Sequence, residues 1–304
     1  MKLLDILASP WAIIPAKLNE IQEIYFTHLR GEKIDIKGIE ARIGRKLENE
    51  EQGYENIQGV GVIPINGVIA KRMNLFSEIS GGVSTQLIAR DFKEAMNDRK
   101  VKAVLLDIDS PGGAVDGTQD LANLIYQSRG KKPIAAFTDG MMASAAYWIG
   151  SAANEIFISG DTTQVGSIGV VASHVDVSKA EERSGMKTTE IVAGKYKRIA
   201  SRYAPLSEEG QATLQEMVDY LYGVFIGDVA KHRGVTEEDV SKMADGKVFI
   251  GKQAKEIGLV DGIMSFDDLV MRLKMKAAPY ETRWAMEARI QKLKQEVKKN
   301  ALSQ

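Results

Sequence analysis

The sequence predicts an α/β fold in which a mainly parallel sheet is flanked by helices. Three observations lead there. Apolar, β-branched runs alternate with amphipathic stretches from about residue 57 to residue 160. The run Val101–Ile108 reads as a strand buried on both faces, as in a parallel sheet covered by helices. Several apolar runs end in turns rich in glycine and serine, where open parallel sheets place their ligand crevices.

Taken in order, residues 1–55 read as a charged helical segment closed by the polar linker Leu47–Gly53. Apolar runs then flank Asn66-Gly67, a hairpin or strand-turn signal. Thr85–Asn97 is expected to be an amphipathic helix burying Leu87, Ile88, Phe92 and Met96, and Val101–Ile108 a strand. Asp116–Arg129 follows as a helix, Pro133–Phe137 as a strand, Ala143–Ala153 as a helix and Glu155–Ile158 as a strand. This alternation implies right-handed crossovers. Ser207 is placed to cap a long helix reaching residue 232, with two short helices and a strand beyond it. The division expected is therefore 1–55, a main domain at 56–273 and a basic helical tail at 274–304. In that tail Arg283–Lys299 carries six basic against two acidic side chains, on a solvated or partner-docking helix.

Composition narrows the function classes. A net charge of -1 provides no field to attract nucleic acid or an anionic membrane. Cysteine is absent, which removes disulfides, thiolate metal sites and a cysteine nucleophile. Only His28, His174 and His232 are available to a histidine mechanism. Asp5, Pro10 and Pro15 interrupt the apolar N-terminal stretches, and no run of about 20 apolar residues exists to span a bilayer. The expectation is a cytoplasmic protein without cofactor, metal or membrane insertion.

Four loops carry the residue types of acyl-transfer chemistry. Asp109-Ser110-Pro111-Gly112-Gly113 follows a strand, and its glycines let backbone N–H groups face a crevice where an oxyanion forms. In Gly140-Met141-Met142-Ala143-Ser144-Ala145-Ala146-Tyr147 a serine starts a helix between small neighbours that admit a substrate backbone. Val165-Gly166-Ser167-Ile168-Gly169-Val170 supplies another hydroxyl, and Gly194-Lys195-Tyr196-Lys197-Arg198 supplies lysines. Each alone has a bland alternative: a tight turn, a helix serine, a strand end, a solvated charge. Their order is what discriminates.

That order, together with Val229-Ala230-Lys231-His232-Arg233-Gly234 and Ala244-Asp245-Gly246-Lys247-Val248-Phe249-Ile250-Gly251, resembles the signal peptide peptidase A family of serine peptidases over roughly Ile57 to Asp267. The nearer likeness is to its phage branch, the head-maturation peptidases. The resemblance implies a Clp-protease/crotonase-like fold and residue roles. Ser144 matches the nucleophile and Lys197 the general base. Ser167 matches the serine that positions the lysine, and Gly113 and Ala145 match the oxyanion-hole donors. Family members usually carry glycine where this chain has Ala145; the backbone donor survives that change. An exposed lysine is protonated at pH 7, so a lysine base has to be desolvated. The resemblance further implies protein substrates (scaffold, capsid or portal proteins), a homo-oligomer, and action in the host cytoplasm or prohead.

Rival readings stay open at this point. His174 falls near the place of a Clp-type histidine base. A host cytoplasmic peptidase, or a catalytically silent scaffold-binding protein, would share the same fold. Gly246–Gln253 approximates a phosphate loop, but Gln253 replaces the magnesium-binding hydroxyl. Ser128/Lys131 and Ser184/Lys187 have Ser-x-x-Lys spacing without companion motifs.

Overall fold

The computed structural model describes residues 9–29, 53–72 and 82–277. The linker at 47–53 falls almost wholly outside these residues, and so does the basic tail beyond Ala277. Its strands in chain order are β1 (Trp11–Ile13), β2 (Glu55–Ile57), β3 (Val60–Asn66), β4 (Val68–Ala70), β5 (Gly82–Ser84), β6 (Ala103–Asp109) and β7 (Gly112–Ala114). They continue with β8 (Ile134–Thr138), β9 (Met141–Ala143), β10 (Glu155–Ile158), β11 (Gln164–Gly166), β12 (Val248–Ile250) and β13 (Gly262–Ile263).

The main sheet has the order β13-β10-β8-β6-β3-β2, parallel except where β2 turns back on β3. Its strands are apolar on both faces because both faces are covered. Val104, Leu106, Ile108, Ile134, Ala136, Ile156 and Ile158 share a core with the helices Thr85–Asn97 and Thr118–Gln127. Their alternates Val60, Val62, Ala103, Leu105, Ala135, Phe137 and Phe157 pack with Leu269, Val270 and Leu273 of the helix Phe266–Ala277. The expected α/β organisation is thus present, with helix and strand ends displaced by a residue or two. Ser84 caps Thr85–Asn97 through Gln86 and Leu87 N–H, and Ser207 caps Glu208–Arg233 through Gly210 N–H.

Strands of the main sheet run on, through short turns, into a second layer. β3 leads to β4, β6 to β7, β8 to β9 and β10 to β11. This layer forms two small sheets, β1-β7-β4-β5 and β12-β11-β9. Asn66-Gly67 is therefore the strand-turn and not the hairpin: Gly67, at φ 76°, lets one chain pass from the first sheet to the next. The run Gly246–Gln253 is likewise not a phosphate loop, since β12 lies within it, paired antiparallel to β11.

One expectation needs correcting. Residues 1–55 read as helical, and Pro15–Leu29 is a helix, but Trp11–Ile13 is a buried strand paired with β7. Pro10 and Pro15 isolate this short apolar run from the helix that follows, and pairing with a distant strand fixes it as extended. Residues 1–8 and 30–52 lie outside the described residues. No described helix is long and apolar enough to cross a membrane.

The helix Ala145–Ser151 is buried along its whole length. Tyr147 donates its hydroxyl to Leu259 O at 2.8 Å. The Trp148 indole stacks on Phe225 at 4.3 Å and donates to Asp228. At the C-terminal end, Arg129 donates to Ser151 O and Ala152 O at 2.9 Å and to Ala153 O, satisfying carbonyls that the helix leaves orphaned. Arg129→Ala should therefore destabilise the fold by about 2–4 kcal/mol in urea titrations, because those buried acceptors lose a charged donor.

Asp107 sits in β6 with Asp109 and Asp139 nearby, and burial followed by their repulsion raises its pKa from the usual 3.8 to about 6. The unfolded chain ionises this group first, so its contribution to stability falls as pH rises from 3.8 through 6 and stays low above. Water reaching this partly exposed carboxylate trims the effect, and Asp107→Asn should raise stability by about 1–2 kcal/mol at pH 7.5. Thermal melts at pH 7.5 and pH 4 should show that gain shrinking in acid.

Candidate active site

Ser144 stands between β9 and the helix Ala145–Ser151 at φ 55° and ψ -118°. A non-glycine residue reaches that region only under constraint. Its N–H donates to Gly166 O at 2.7 Å and its carbonyl accepts from Trp148 N at 2.9 Å. Those bonds fix the peptide units on both sides of the strained residue. The side chain is 1% exposed, and Oγ is buried without a hydrogen-bond partner. An unpaired buried hydroxyl costs about 1–3 kcal/mol, so such a group needs an explanation.

Ser167 occupies the equivalent place one strand away. β9 and β11 run parallel with Ala143 paired to Gly166, so Ser144 and Ser167 are the residues that follow a matched pair. Both have positive φ, 55° and 52°, and both are buried. Ser167 N–H donates to Lys247 O at 2.7 Å, tying its turn to the approach to β12. Register alone thus brings together two serines separated in sequence by the whole β10 excursion.

The Ser-Pro-Gly-Gly turn is stitched against the same point. Ser110 N–H donates to Met141 O at 2.8 Å, and Ala143 N–H donates to Ser110 O at 3.1 Å. Ser110 Oγ donates to Gly67 O at 2.6 Å and accepts from Gly112 N–H at 3.2 Å. A Cβ placed on Gly112 would lie 3.0 Å from Ser144 Cβ, 3.0 Å from Ala143 O and 2.3 Å from Ala12 O. On Gly113 it would lie 1.9 Å from Ile69 O. Both positions accept only glycine, because neighbouring backbones fill the space a side chain would need. Ala145 is fully buried, and as the first residue of its helix it has an N–H with no intrahelical acceptor. Ser144, Ser167, Gly113 and Ala145 therefore converge on one end of the layer formed by β7, β9 and β11.

Lys197 is placed differently. It lies in the exposed 3-10 turn Lys195–Arg198, with its N–H on Gly194 O at 3.1 Å. On either side, Lys195 pairs with Glu209 at 2.5 Å and Arg198 with Glu190 at 2.8 Å. Ser144 Oγ has no partner, so the single chain does not join serine to lysine by a hydrogen bond. His174 does not reach the serine either; its Nε2 bonds Ser201 O at 3.0 Å. Burial and the charges of Arg129 and Lys231 push the pKa of His232 down to about 3, and its Nδ1 pairs with Ser151 Oγ at 2.9 Å. No group of three or more His, Cys, Asp or Glu suited to a metal occurs among the described residues.

Two contributors were not found in the sequence. Asp109 accepts from Met141 N–H at 3.1 Å and fixes the turn that delivers Ser144; an acidic residue ending an apolar strand was the available signal. The other is β1, which packs against the site. Trp11-Ala12-Ile13-Ile14, bounded by Pro10 and Pro15, has the composition of a short strand.

Residues 127–279 match the model of peptidase family S49. A Methanocaldococcus jannaschii protein that carries a protease name is 32% identical over 250 residues, spanning 82% of this chain and 75% of its own. The head-tail preconnector protein of Enterobacteria phage P21 is 31% identical over 217 residues, 71% of this chain and 43% of that protein. Capsid assembly protease C of Escherichia phage lambda is 29% identical over 221 residues, 73% of this chain and 50% of that protein. The chain thus spans half or less of the length of these two phage relatives. The family model's span includes Ser144 and Ser167, and the chain belongs to peptidase family S49.

Proposed function

We propose that the protein is a serine endopeptidase with Ser144 as nucleophile and Lys197 as general base. The observation that carries this reading is Ser144 itself: backbone-strained, buried, its Oγ unpartnered, and pressed against Gly112. Strain held in place by surrounding hydrogen bonds is a mark of functional positions. In the proposed reaction Ser144 Oγ attacks the peptide carbonyl while Lys197 Nζ takes its proton, and Lys197 later returns a proton to the leaving amine. The N–H groups of Gly113 and Ala145 would hold the oxyanion, and Ser167 would orient the lysine. Strands of the main sheet continued into a second layer are compatible with a Clp/crotonase-like arrangement.

The base must reach the serine and lose its water. The loop bearing Lys197 exposes Ile191 at 96%, Val192 at 49% and Tyr196 at 56%. Apolar side chains at such exposure favour a covering surface. A second copy of the chain would cover them and enclose the lysine, which supports a homo-oligomer with sites completed by assembly. The name of the lambda relative, a capsid assembly protease, favours capsid-assembly proteins as substrates; scaffold, capsid or portal proteins, cut in the host cytoplasm or prohead, are the ones proposed. A scaffold-binding protein without activity is the reading that the same experiment separates.

Cleavage of a scaffold or capsid protein co-expressed with the chain, followed by mass spectrometry, should be lost in Ser144→Ala and reduced at least about 10³-fold in Lys197→Ala with circular dichroism unchanged. Retained cleavage in Lys197→Ala would sink the dyad, and His174→Ala would then be the variant to lose activity. Ile191→Asp should shift sedimentation toward smaller species and lower activity together; lowered activity at unchanged size would argue against assembly as the means of covering Lys197.

A further inference from the structure

The strand β1 is held along both edges. On one side it pairs antiparallel with β7: Trp11 with Ala114, Ala12 with Gly113, Ile13 with Gly112. On the other, Trp11 N–H donates to Val171 O and Val171 N–H to Trp11 O, both at 2.8 Å. Trp11, Ala12 and Ile13 are 1%, 0% and 3% exposed. A short extended segment gripped between two backbones is how a β-augmentation slot holds a peptide.

The slot's position gives it meaning. Ile14 N–H donates to Pro111 O at 3.0 Å and Val115 N–H to Pro10 O at 3.2 Å. Hydrogen-bonded pairs alternate along an antiparallel ladder, so the pair midway between, Ala12 with Gly113, is also hydrogen-bonded. The Gly113 N–H therefore points at the Ala12 carbonyl. The missing side chain of Gly112 marks a point 2.3 Å from Ala12 O and 3.0 Å from Ser144 Cβ, so that carbonyl and the serine lie one side chain's width apart. A peptide carbonyl of this same chain stands where the oxyanion donor faces the nucleophile.

We propose that the cleft beside Ser144 is a binding site for an extended peptide, and that residues Pro10–Ile14 of this chain are its resident occupant, to be displaced before substrate enters. The proposal rests on the serine-peptidase reading only for calling the cleft a substrate site. Side-chain alternation defines the ligand class. Ala12 faces the core that includes Ala145 and Ala146, whereas Trp11 and Ile13 pack with Leu18, Ile21 and Val68 on the other side. The slot thus takes a small residue at the oxyanion position, while the apolar flanks Trp11 and Ile13 meet Val68 of the slot and Leu18 and Ile21 of their own segment. Pro10 and Pro15 limit the paired length, since proline donates nothing to a ladder. The strand is tethered by the helix Pro15–Leu29, whose Leu18 and Ile21 anchor it.

The test separates binding from hydrolysis by using the full-length chain with Ser144→Ala. Trp11→Cys and Ala114→Cys are added to this background; the two positions face each other across the ladder, and the chain has no other cysteine. A fluorescent peptide with the sequence of residues 9–15, Ser-Pro-Trp-Ala-Ile-Ile-Pro, is titrated by anisotropy in oxidised and reduced protein. The reduced form should bind it, and the oxidised form should bind at least about tenfold more weakly, because the lock removes the competent fraction. Equal affinities in the two states, or no binding in the reduced state, would overturn the proposal. Should the cysteine pair impair folding, Trp11→Ala in the same Ser144→Ala background should bind the peptide more tightly than its parent, and equal binding would again overturn it. Failure of the serine-lysine reading would show in hydrolysis by the unmodified chain and leave these binding curves unchanged.

Discussion

Three backbones meet within the width of one missing side chain at Gly112. β1 presents Ala12 O, β9 presents Ala143 O, and Ser144 presents its Cβ to the same point. Everything around the site follows from keeping these chains so close. Gly113 is bare because the Ile69 carbonyl fills its side-chain position. Ser110 spends its hydroxyl and both its backbone groups on Gly67, Gly112, Met141 and Ala143, which locks β7 to β9. Asp109 fixes the turn between β8 and β9. Even a methyl group at Gly112 would have to displace backbone rather than a movable side chain.

The strain at Ser144 survives because the structure constrains it from both sides. Upstream, β9 is paired with β11 and bridged to Ser110. Downstream, the buried helix is gripped by Tyr147 on Leu259, Trp148 on Asp228 and Phe225, and Arg129 across its last carbonyls. Strain of about 1–3 kcal/mol is small against such support. The lysine loop is built in the opposite way: Lys195–Arg198 is exposed, and the ion pairs beside Lys197, Lys195–Glu209 and Arg198–Glu190, lie at the surface where solvent screens them. A constrained segment carrying Ser144 and an exposed loop carrying Lys197 suit the proposed site completed by assembly.

Much of the fold was legible in the sequence because its helices and central strands obey local rules. Thr85–Asn97 has its apolar stripe and its Ser84 cap, and Glu155–Ile158 is a strand by composition. Ser144, Ser167 and Gly113 could be singled out because their order in the chain is distinctive, and the structure brings them to one place. In the second layer the apolar run at Val68-Ile69 and the strand at Val165-Gly166 were legible, whereas β1, β5, β7 and β9 were not, since each is too short to show a period and exists only through pairing with distant segments. β1 is the extreme case: Trp11–Ile13 owes its conformation to Gly112–Ala114 and Val171, about a hundred residues and more away in the chain. Nor does sequence reveal that Lys197 is exposed, because burial of one charged side chain depends on what covers it.

The most direct test of this account is to identify which residue an active-site serine probe modifies. Treatment of the assembled protein with a fluorophosphonate, followed by peptide mapping, should place a single adduct on Ser144, and Lys197→Ala should abolish it. An adduct on another serine, or undiminished labelling of Ser144 without Lys197, would contradict the account.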